Sequence, residues 1–299
     1  MDLKRKWKQH PSNPIIKPPF YTWLIGDPVV LLPDEGPDGL WHLFLNTVLF
    51  VHHYTSDDGI KWKREFLPAC RGMRAFILPW DGVYYLFNEV HASINKSVIK
   101  VRSSFDLKSW HDEKTLITPE YDWETKPFST VSCPCVIWTG QKFRMYYSTN
   151  GVFLKDMGFC EPLNIGIAES DFITGPYVKN IEPFMVPDEN DPWMNRGCGS
   201  IKVYPDEENN RFVAFNNGIY ADGKGRSGSA IRVMTSSDGL DWKLESEEPI
   251  VKPDRGWRKG HVYAMDVKQV GDELWMYYNA RDGWRIGWER VGLEIGTKI

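Results

Sequence analysis

The sequence lacks the features that would indicate a membrane protein or a nucleic-acid-binding protein. Its longest apolar runs, such as Val48–Val51, are far too short to span a bilayer. No apolar segment follows the positively charged N-terminal residues, so no secretory signal is recognisable. The 36 Lys and Arg residues are outnumbered by 40 Asp and Glu residues, so the chain has no bulk positive charge to attract nucleic acid. These absences predict a cytoplasmic protein that binds neither nucleic acid nor a membrane.

Cysteine is also scarce, with five residues in a chain of 299. An odd, small number of cysteines in a chain long enough to bury a large core implies no disulfide framework. Cys133-Pro134-Cys135 lacks the two-residue spacer of a zinc-binding motif. The glycine-rich segment 223–229 precedes a predicted strand and not a helix, which argues against a phosphate-binding loop. We therefore expect neither a metal nor a cofactor.

The aromatic residues are abundant and repeat along the chain. There are 14 Trp, 13 Tyr and 15 Phe, together with 25 Gly and 20 Pro, a composition typical of many short strands separated by turns. Ser-x-Asp-Gly-type turns lead into Trp62 and Trp242, with a looser copy before Trp110, and each is predicted to close a hairpin. An aromatic strand that ends in Asn or Ser occurs five times, at 41–46, 84–88, 143–148, 212–216 and 274–279. Five copies of a four-stranded unit predict an all-β fold, a five-bladed β-propeller, as a single domain over residues 1–299.

A further repeat predicts how the ring of blades closes. Lys6-Trp7-Lys8 and the Pro-rich segment that follows match Asp241-Trp242-Lys243 and its continuation at identical spacing. The second copy is the outer strand of blade 4, whereas no blade precedes the first copy. Since the last blade has only three strands of its own, we expect the N-terminal strand to join it and complete the ring.

Long connections mark one face of the predicted propeller, which we call the working face. They cover roughly residues 113–132, 148–164, 180–198, 216–230 and 245–260, and long loops in a compact domain are usually functional. The innermost strands begin at this face around the axis, near Asp27, Arg74, Cys133, Cys198 and His261.

These motifs resemble those of the five-bladed propeller glycosidases, including glycoside hydrolase families 43, 32, 117 and 130. The resemblance is carried by Trp7 with Asn13-Pro14-Ile15-Ile16, by Ile25-Gly26-Asp27-Pro28-Val29, and by Tyr277-Tyr278-Asn279-Ala280-Arg281. It implies that Asp27 is the general base or nucleophile. Family 43 enzymes carry two more carboxylates at the starts of blades 3 and 4, where this sequence has Cys133 and Cys198. The resemblance therefore identifies a superfamily and leaves the family and the general acid open.

Candidate partners for Asp27 come from the working face. Glu89, at the end of the second strand of blade 2, is the first choice for the acid, and His261 is the second, since family 117 relatives use a His acid. Glu161, Asp191 and Asp222 are weaker candidates. Candidate substrate-binding residues are Trp23, Trp193 and Trp257 as sugar-stacking platforms and Arg74 and Arg281 as ligands for an anionic group.

The sequence thus predicts a glycoside hydrolase that acts on an oligosaccharide or glycoside in the axial funnel, with Asp27 as the general base. Two alternatives stay open: a phosphorylase or transferase on the same scaffold, and a non-catalytic carbohydrate-binding propeller. The oligomeric state is not indicated.

Overall fold

Nearly all regular structure in the protein is β-strand. The computed structural model describes residues 1–299, and its one α-helix, Asp122–Thr125, has four residues. No helix is therefore long and apolar enough to cross a membrane. In chain order the strands are β1 (Arg5–Gln9), β2 (Gly26–Leu31), β3 (Trp41–Asn46), β4 (Phe50–Ser56), β5 (Lys63–Arg71), β6 (Met73–Trp80), β7 (Val83–Ser93), β8 (Lys96–Ser104), β9 (His111–Ile117), β10 (Val131–Trp138), β11 (Phe143–Thr149), β12 (Val152–Leu154), β13 (Phe159–Glu161), β14 (Asn164–Ser170), β15 (Val178–Lys179), β16 (Ile201–Asp206), β17 (Arg211–Ala221), β18 (Ser227–Ser236), β19 (Lys243–Leu244), β20 (His261–Val270), β21 (Glu273–Arg281) and β22 (Glu289–Lys298).

The strands form five four-stranded antiparallel sheets, which confirms the predicted five-bladed propeller. Blades 1 and 2 are β2–β5 and β6–β9, blade 3 is β10, β11, β14 and β15, and blade 4 is β16–β19. Blade 5 consists of β20, β21 and β22 with β1 as its outer strand. The small sheet β12–β13 is an insertion between the second and third strands of blade 3.

The hydrophobic core is divided among the five interfaces between neighbouring blades. Each of the five largest buried clusters contains side chains from two adjacent blades. One example joins Phe44 of blade 1 to Leu86 of blade 2, and another joins Leu43 of blade 1 to Tyr277 of blade 5. The repeated aromatic strands supply these contacts because alternate residues of a strand project to opposite faces of its sheet. Most of the aromatic content is therefore explained by packing between blades.

The N-terminal strand closes the ring, as the sequence predicts. β1 pairs antiparallel with β22 over five residues, from Arg5 opposite Lys298 to Gln9 opposite Glu294. The Trp7 indole covers Gly296, where an added Cβ would lie 3.1 Å from the ring, and its centroid is 6.5 Å from that of Phe215 in blade 4.

Replacing Trp7 tests how much this closure stabilises the protein. Trp7 is half-buried, so we expect Trp7→Ala to lower the free energy of unfolding by about 2 kcal/mol, less than for a fully buried Trp. The exposed Lys8 is the matched control on the same strand, and Lys8→Ala should change the free energy by less than about 0.5 kcal/mol. Denaturant unfolding measures both, and equal effects of the two substitutions would contradict a role for the indole in closure.

Candidate functional site

The innermost strands of four blades begin at the working face with a β-bulge that turns one residue toward the axis. The register with the second strand shifts after Gly26, Met73, Ser132 and Val262. The bulge residue is Asp27 in blade 1 (φ 53°), Arg74 in blade 2 (φ 49°) and Cys133 in blade 3 (φ 47°). Gly199 of blade 4 has φ of 60° at the corresponding place, and the blade 5 bulge contains Tyr263. All five residues line one cavity of about 720 Å³ at the axis, which we call the axial cavity.

The axial positions of blades 4 and 5 differ from those predicted. Gly199 and Tyr263 line the axial cavity, whereas Cys198 and His261 are fully buried and do not. Burial lowers the pKa of His261 to about 3, so its imidazole is neutral. His261 is therefore a poor general acid in this structure, because it lacks the acidic second proton of an imidazolium and does not line the cavity.

Asn side chains fix the bulges of blades 1 and 2 through contacts between blades. The backbone N–H of Asp27 donates to Asn279 Oδ1 of blade 5 at 3.1 Å, and the backbone N–H of Arg74 donates to Asn46 Oδ1 of blade 1 at 2.8 Å. Asn279 Nδ2 also donates to Glu289 Oε1 at 2.5 Å. One Asn thus connects the Asp27 backbone to the carboxyl group of Glu289.

Two insertions at the working face build the wall of the axial cavity. The hairpin β12–β13 carries Phe159 and Glu161 into the wall, and its Leu154 packs with Ile219 of blade 4 and Tyr263 of blade 5. The segment 282–288 between β21 and β22 adds Arg285 and further residues. The predicted loop 148–164 is therefore at the cavity, whereas residues 216–230 lie mostly in the long hairpin β17–β18.

Three carboxyl groups in the axial cavity have pKa values that burial raises. Burial raises the pKa of Glu161 to about 7 and that of Glu289 to about 8, and the Asp27 carboxylate adds to both shifts. The pKa of Asp27 is also raised by burial, while Arg74 and a hydrogen bond from Asn46 oppose the shift. The cavity therefore places two glutamates that hold a proton near neutral pH beside Asp27, whose ionised form is favoured by Arg74 and Asn46 against the effect of burial.

Glu89 has the opposite protonation behaviour. Burial alone would raise its pKa, but the adjacent Arg74 guanidinium and the His91 imidazole outweigh this effect and lower it to about 2. Arg74 Nη1 lies 2.5 Å from Glu89 Oε2, and His91 Nε2 lies 2.9 Å from Glu89 Oε1. Glu89 contacts Arg74 but does not itself line the axial cavity, and as an ion-paired carboxylate it is poorly suited to be a general acid.

The predicted tryptophan platforms divide into one that lines the axial cavity and two that do not. Trp23 is exposed and lines the cavity, together with Trp288, which sequence reasoning missed. Trp193 packs edge-on against Tyr220 under Lys252. Trp257 packs on Tyr278 and donates its Nε1–H to Gln9. Trp193 and Trp257 therefore pack against neighbouring side chains and do not line the axial cavity.

Both predicted arginines line the axial cavity. Arg74 is ion-paired with Glu89, while Arg281 stacks on Phe159 at 5.0 Å and has a buried Nε–H without a hydrogen-bond partner. Of the weaker candidates for the acid, Glu161 lines the axial cavity, whereas Asp191 pairs with Arg232 and Asp222 is an exposed turn residue. No three His, Cys, Asp or Glu side chains converge in a metal-binding arrangement.

Comparison with known proteins identifies the fold and not a family. No protein-family model matches the chain, and no curated protein sequence matches it. Among solved structures, a glycoside hydrolase candidate from Parabacteroides distasonis has a TM-score of 0.70 at 14% identity, over 97% of this chain and 96% of that one. An N-acetylgalactosamine deacetylase from F. plautii, in complex with blood group B trisaccharide, has a TM-score of 0.66 at 13% identity, over 91% and 89%. A β-1,2-mannobiose phosphorylase from Listeria innocua, in complex with β-1,2-mannobiose, has a TM-score of 0.65 at 14% identity, over 96% of each chain.

The raised pKa of Glu289 predicts a pH-dependent loss of stability. The folded protein binds this proton more tightly than the unfolded chain, so the stabilisation is complete below about pH 4.5 and is lost as the pH rises through about 8. Glu289→Gln should reduce the fall in the free energy of unfolding between pH 5 and 8 by roughly 1–3 kcal/mol. Denaturant unfolding at both pH values measures this, with Glu182→Gln on an exposed loop as control. A pH dependence identical to that of the wild type would show that Glu289 titrates normally.

Proposed function

We propose that this protein is a glycoside hydrolase that cleaves an oligosaccharide or glycoside bound in the axial cavity. The observation that carries this proposal is the placement of Asp27 and Glu161 in one cavity, with the pKa of Glu161 raised to about 7. Glycoside hydrolysis by two carboxyl groups needs one that is ionised and one that holds a proton. Asp27 is the general base in this scheme, and Glu161 is the general acid in place of Glu89 or His261.

Glu161 fits the acid role for physical reasons. A general acid is most effective when its pKa lies near the working pH, because it is then protonated and still releases the proton readily. Glu289 also holds a proton, but its Oε1 is occupied by Asn279 in the cavity wall. Glu289 is therefore the second candidate for the acid.

The cavity wall also suits a carbohydrate. Trp23 and Trp288 expose indole faces on which the C–H groups of a sugar ring can pack. The backbone N–H of Glu289 donates to the carbonyl oxygen of Trp23 at 2.8 Å, so the two tryptophans lie at adjoining parts of the wall. The mannobiose and trisaccharide in the complexes of two structural relatives support a carbohydrate ligand on this fold.

Phosphorolysis is the second candidate reaction, and one observation favours it. The Nε–H of Arg281 is buried in the axial cavity without a partner, and Arg285 lies in the same wall. A guanidinium binds the oxygens of phosphate through paired, charge-assisted hydrogen bonds. If inorganic phosphate is required for cleavage and becomes part of the sugar product, the reaction is a phosphorolysis and not a hydrolysis.

Replacing Asp27 tests the base. On a panel of aryl glycosides and oligosaccharides, with and without phosphate, Asp27→Asn should lower kcat by about 10²- to 10⁴-fold. Asp57→Asn is the matched control, since Asp57 lies in an exposed turn after β4 and outside the axial cavity. Unchanged activity of Asp27→Asn on every cleaved substrate would show that Asp27 is not the base. If the wild-type protein binds oligosaccharides and cleaves none, the protein is a binding propeller.

Replacing Glu161 tests the acid. Because the acid must be protonated, kcat of the wild type should fall as the pH rises through about 7. Glu161→Gln should remove this limb and reduce cleavage of poor leaving groups by about 10²- to 10⁴-fold. Aryl glycosides with acidic phenols should be much less affected, because such a leaving group departs without a proton. If Glu289→Gln shows this pattern and Glu161→Gln does not, Glu289 is the acid.

A further inference from the structure

A second cavity adjoins the axial cavity on the side of blades 2 and 3. Its volume is about 640 Å³, and we call it the side cavity. The two cavities share five lining residues, which are Met73, Arg74, Cys160, Glu161 and Pro162. Glu161 thus lies at the boundary between two spaces of similar size. A ligand that passes Glu161 can extend from one cavity into the other.

The lining of the side cavity contains more cationic than acidic groups. The cationic groups are Arg71, Arg74 and His91, and the acidic groups are Glu89 and Glu161. Arg74 and His91 share the single carboxylate of Glu89, whereas Arg71 is exposed at the end of β5 and forms no ion pair. The hydrogen bond from His91 to Glu89 raises the pKa of the imidazole, and burial raises the pKa of Glu161 to about 7, so that its carboxyl group carries only part of a negative charge at neutral pH. The side cavity is therefore positively charged, although the whole chain has a net charge of -4.

The remainder of the lining suits a sugar ring. Ser93, Asn95 and Thr130 supply uncharged polar groups, and Leu49 and Phe128 supply apolar surface. Carbohydrate presents hydroxyl groups at its edges and C–H groups on its faces, so such a mixed lining matches both. The excess positive charge distinguishes this cavity from one that would serve a neutral sugar equally well.

We propose that the side cavity binds a sugar residue that carries an anionic substituent, and that Arg71 forms the ion pair with this substituent. The proposal rests on the carbohydrate function proposed above and specifies its substrate as an acidic oligosaccharide of at least two residues. The bond between the two residues then crosses the boundary at Glu161, where the proposed acid reaches its oxygen. Arg71 acts on binding alone, since it lies outside the axial cavity.

The experiment measures binding to the Asp27→Asn protein, in which cleavage is suppressed, by isothermal titration. The probes are oligogalacturonates, sulfated oligosaccharides, neutral oligosaccharides of equal length, and inorganic phosphate. At least one acidic series should bind about 10-fold or more tightly than its neutral counterpart, and more weakly as salt increases. Adding Arg71→Gln should weaken acidic binding by about 10- to 100-fold and leave neutral binding unchanged. Arg71→Lys should restore part of the affinity, because it keeps the charge but not the planar fork.

Arg255→Gln is the matched control, since Arg255 is an exposed arginine that lines neither cavity. It removes the same charge from the protein and should leave acidic binding unchanged, and all variants should retain the thermal midpoint of their parent. Equal affinity for acidic and neutral oligosaccharides, or acidic binding that Arg71→Gln does not weaken, would overturn the proposal. Arg71-dependent binding of inorganic phosphate with no preference for acidic sugars would also overturn it.

Measuring cleavage as well as binding tests the acidic-sugar site separately from the hydrolase function. Binding that depends on Arg71 but leads to no cleavage by the wild type would leave the acidic-sugar site standing and refute the hydrolase. Cleavage of acidic and neutral oligosaccharides with equal kcat and KM, both insensitive to Arg71→Gln, would leave the hydrolase standing and refute the acidic-sugar site.

Discussion

Hydrogen bonds at the axis between side chains of one blade and the backbone of the next are the constraint on which the candidate site depends. A non-glycine residue with positive φ is unfavourable and persists only where surrounding contacts hold it. Asp27 and Arg74 both have this conformation, and in each case an Asn from the preceding blade accepts the N–H of the residue. Ser148 of blade 3 similarly donates to the carbonyl oxygen of Gly199 in blade 4. The same bulge recurs in several blades, so the strained backbone is a feature of the fold. The side chain at each bulge then determines the chemistry of that position.

Burial of these positions sets their charge states. Removing a carboxyl group from water favours its neutral form, and a nearby carboxylate adds to the effect, whereas a guanidinium opposes it. Arg74 lies against Glu89, so that carboxylate stays charged. Glu289 instead has Asn279 as its partner, and desolvation prevails. Neighbouring acids of the same type therefore differ in pKa according to the group they contact.

The fold could be predicted from the sequence, whereas the charge states of the candidate acids could not. The aromatic strands and the matching Trp7 and Trp242 segments are local patterns, and they were sufficient to predict the blades and the closing strand. The position of Asp27 at the axis followed from its place at the start of the first inner strand. The pairing of Glu89 with Arg74 depends on a contact fifteen residues apart in sequence, and no spacing rule distinguishes a paired Glu from a free one.

The predicted and observed cavity-lining residues of blades 4 and 5 differ for a geometric reason. In blade 4, Cys198 was predicted at the axis, but the next residue, Gly199, lines the cavity. In blade 5, His261 was predicted, but Tyr263, two residues further along the chain, lines it. A bulge changes which residues face the axis, and bulges leave little trace in a single sequence. Glu289 and Trp288 could have been suspected from one signal, a polar and aromatic segment between two strands of the last blade on the working face. The conformation of segment 282–288 was nevertheless needed to place both side chains in the wall.

The acidic groups of the axial cavity come from elements other than the starts of blades 3 and 4, where the chain has Cys133 and Cys198. Burial raises the pKa of Cys133 to about 11, so its thiol is neutral and adds no charge beside Arg74. Gly199, beside Cys198, contributes no side chain at all. Blade 3 supplies Glu161 from its inserted hairpin, and blade 5 supplies Glu289 from the start of its third strand. Glu161, on the inserted hairpin, lines both cavities, whereas Asp27 and Glu289 line the axial cavity alone. The position of Glu161 on the inserted hairpin is therefore the feature that links the chemistry proposed at Asp27 to a ligand longer than one sugar.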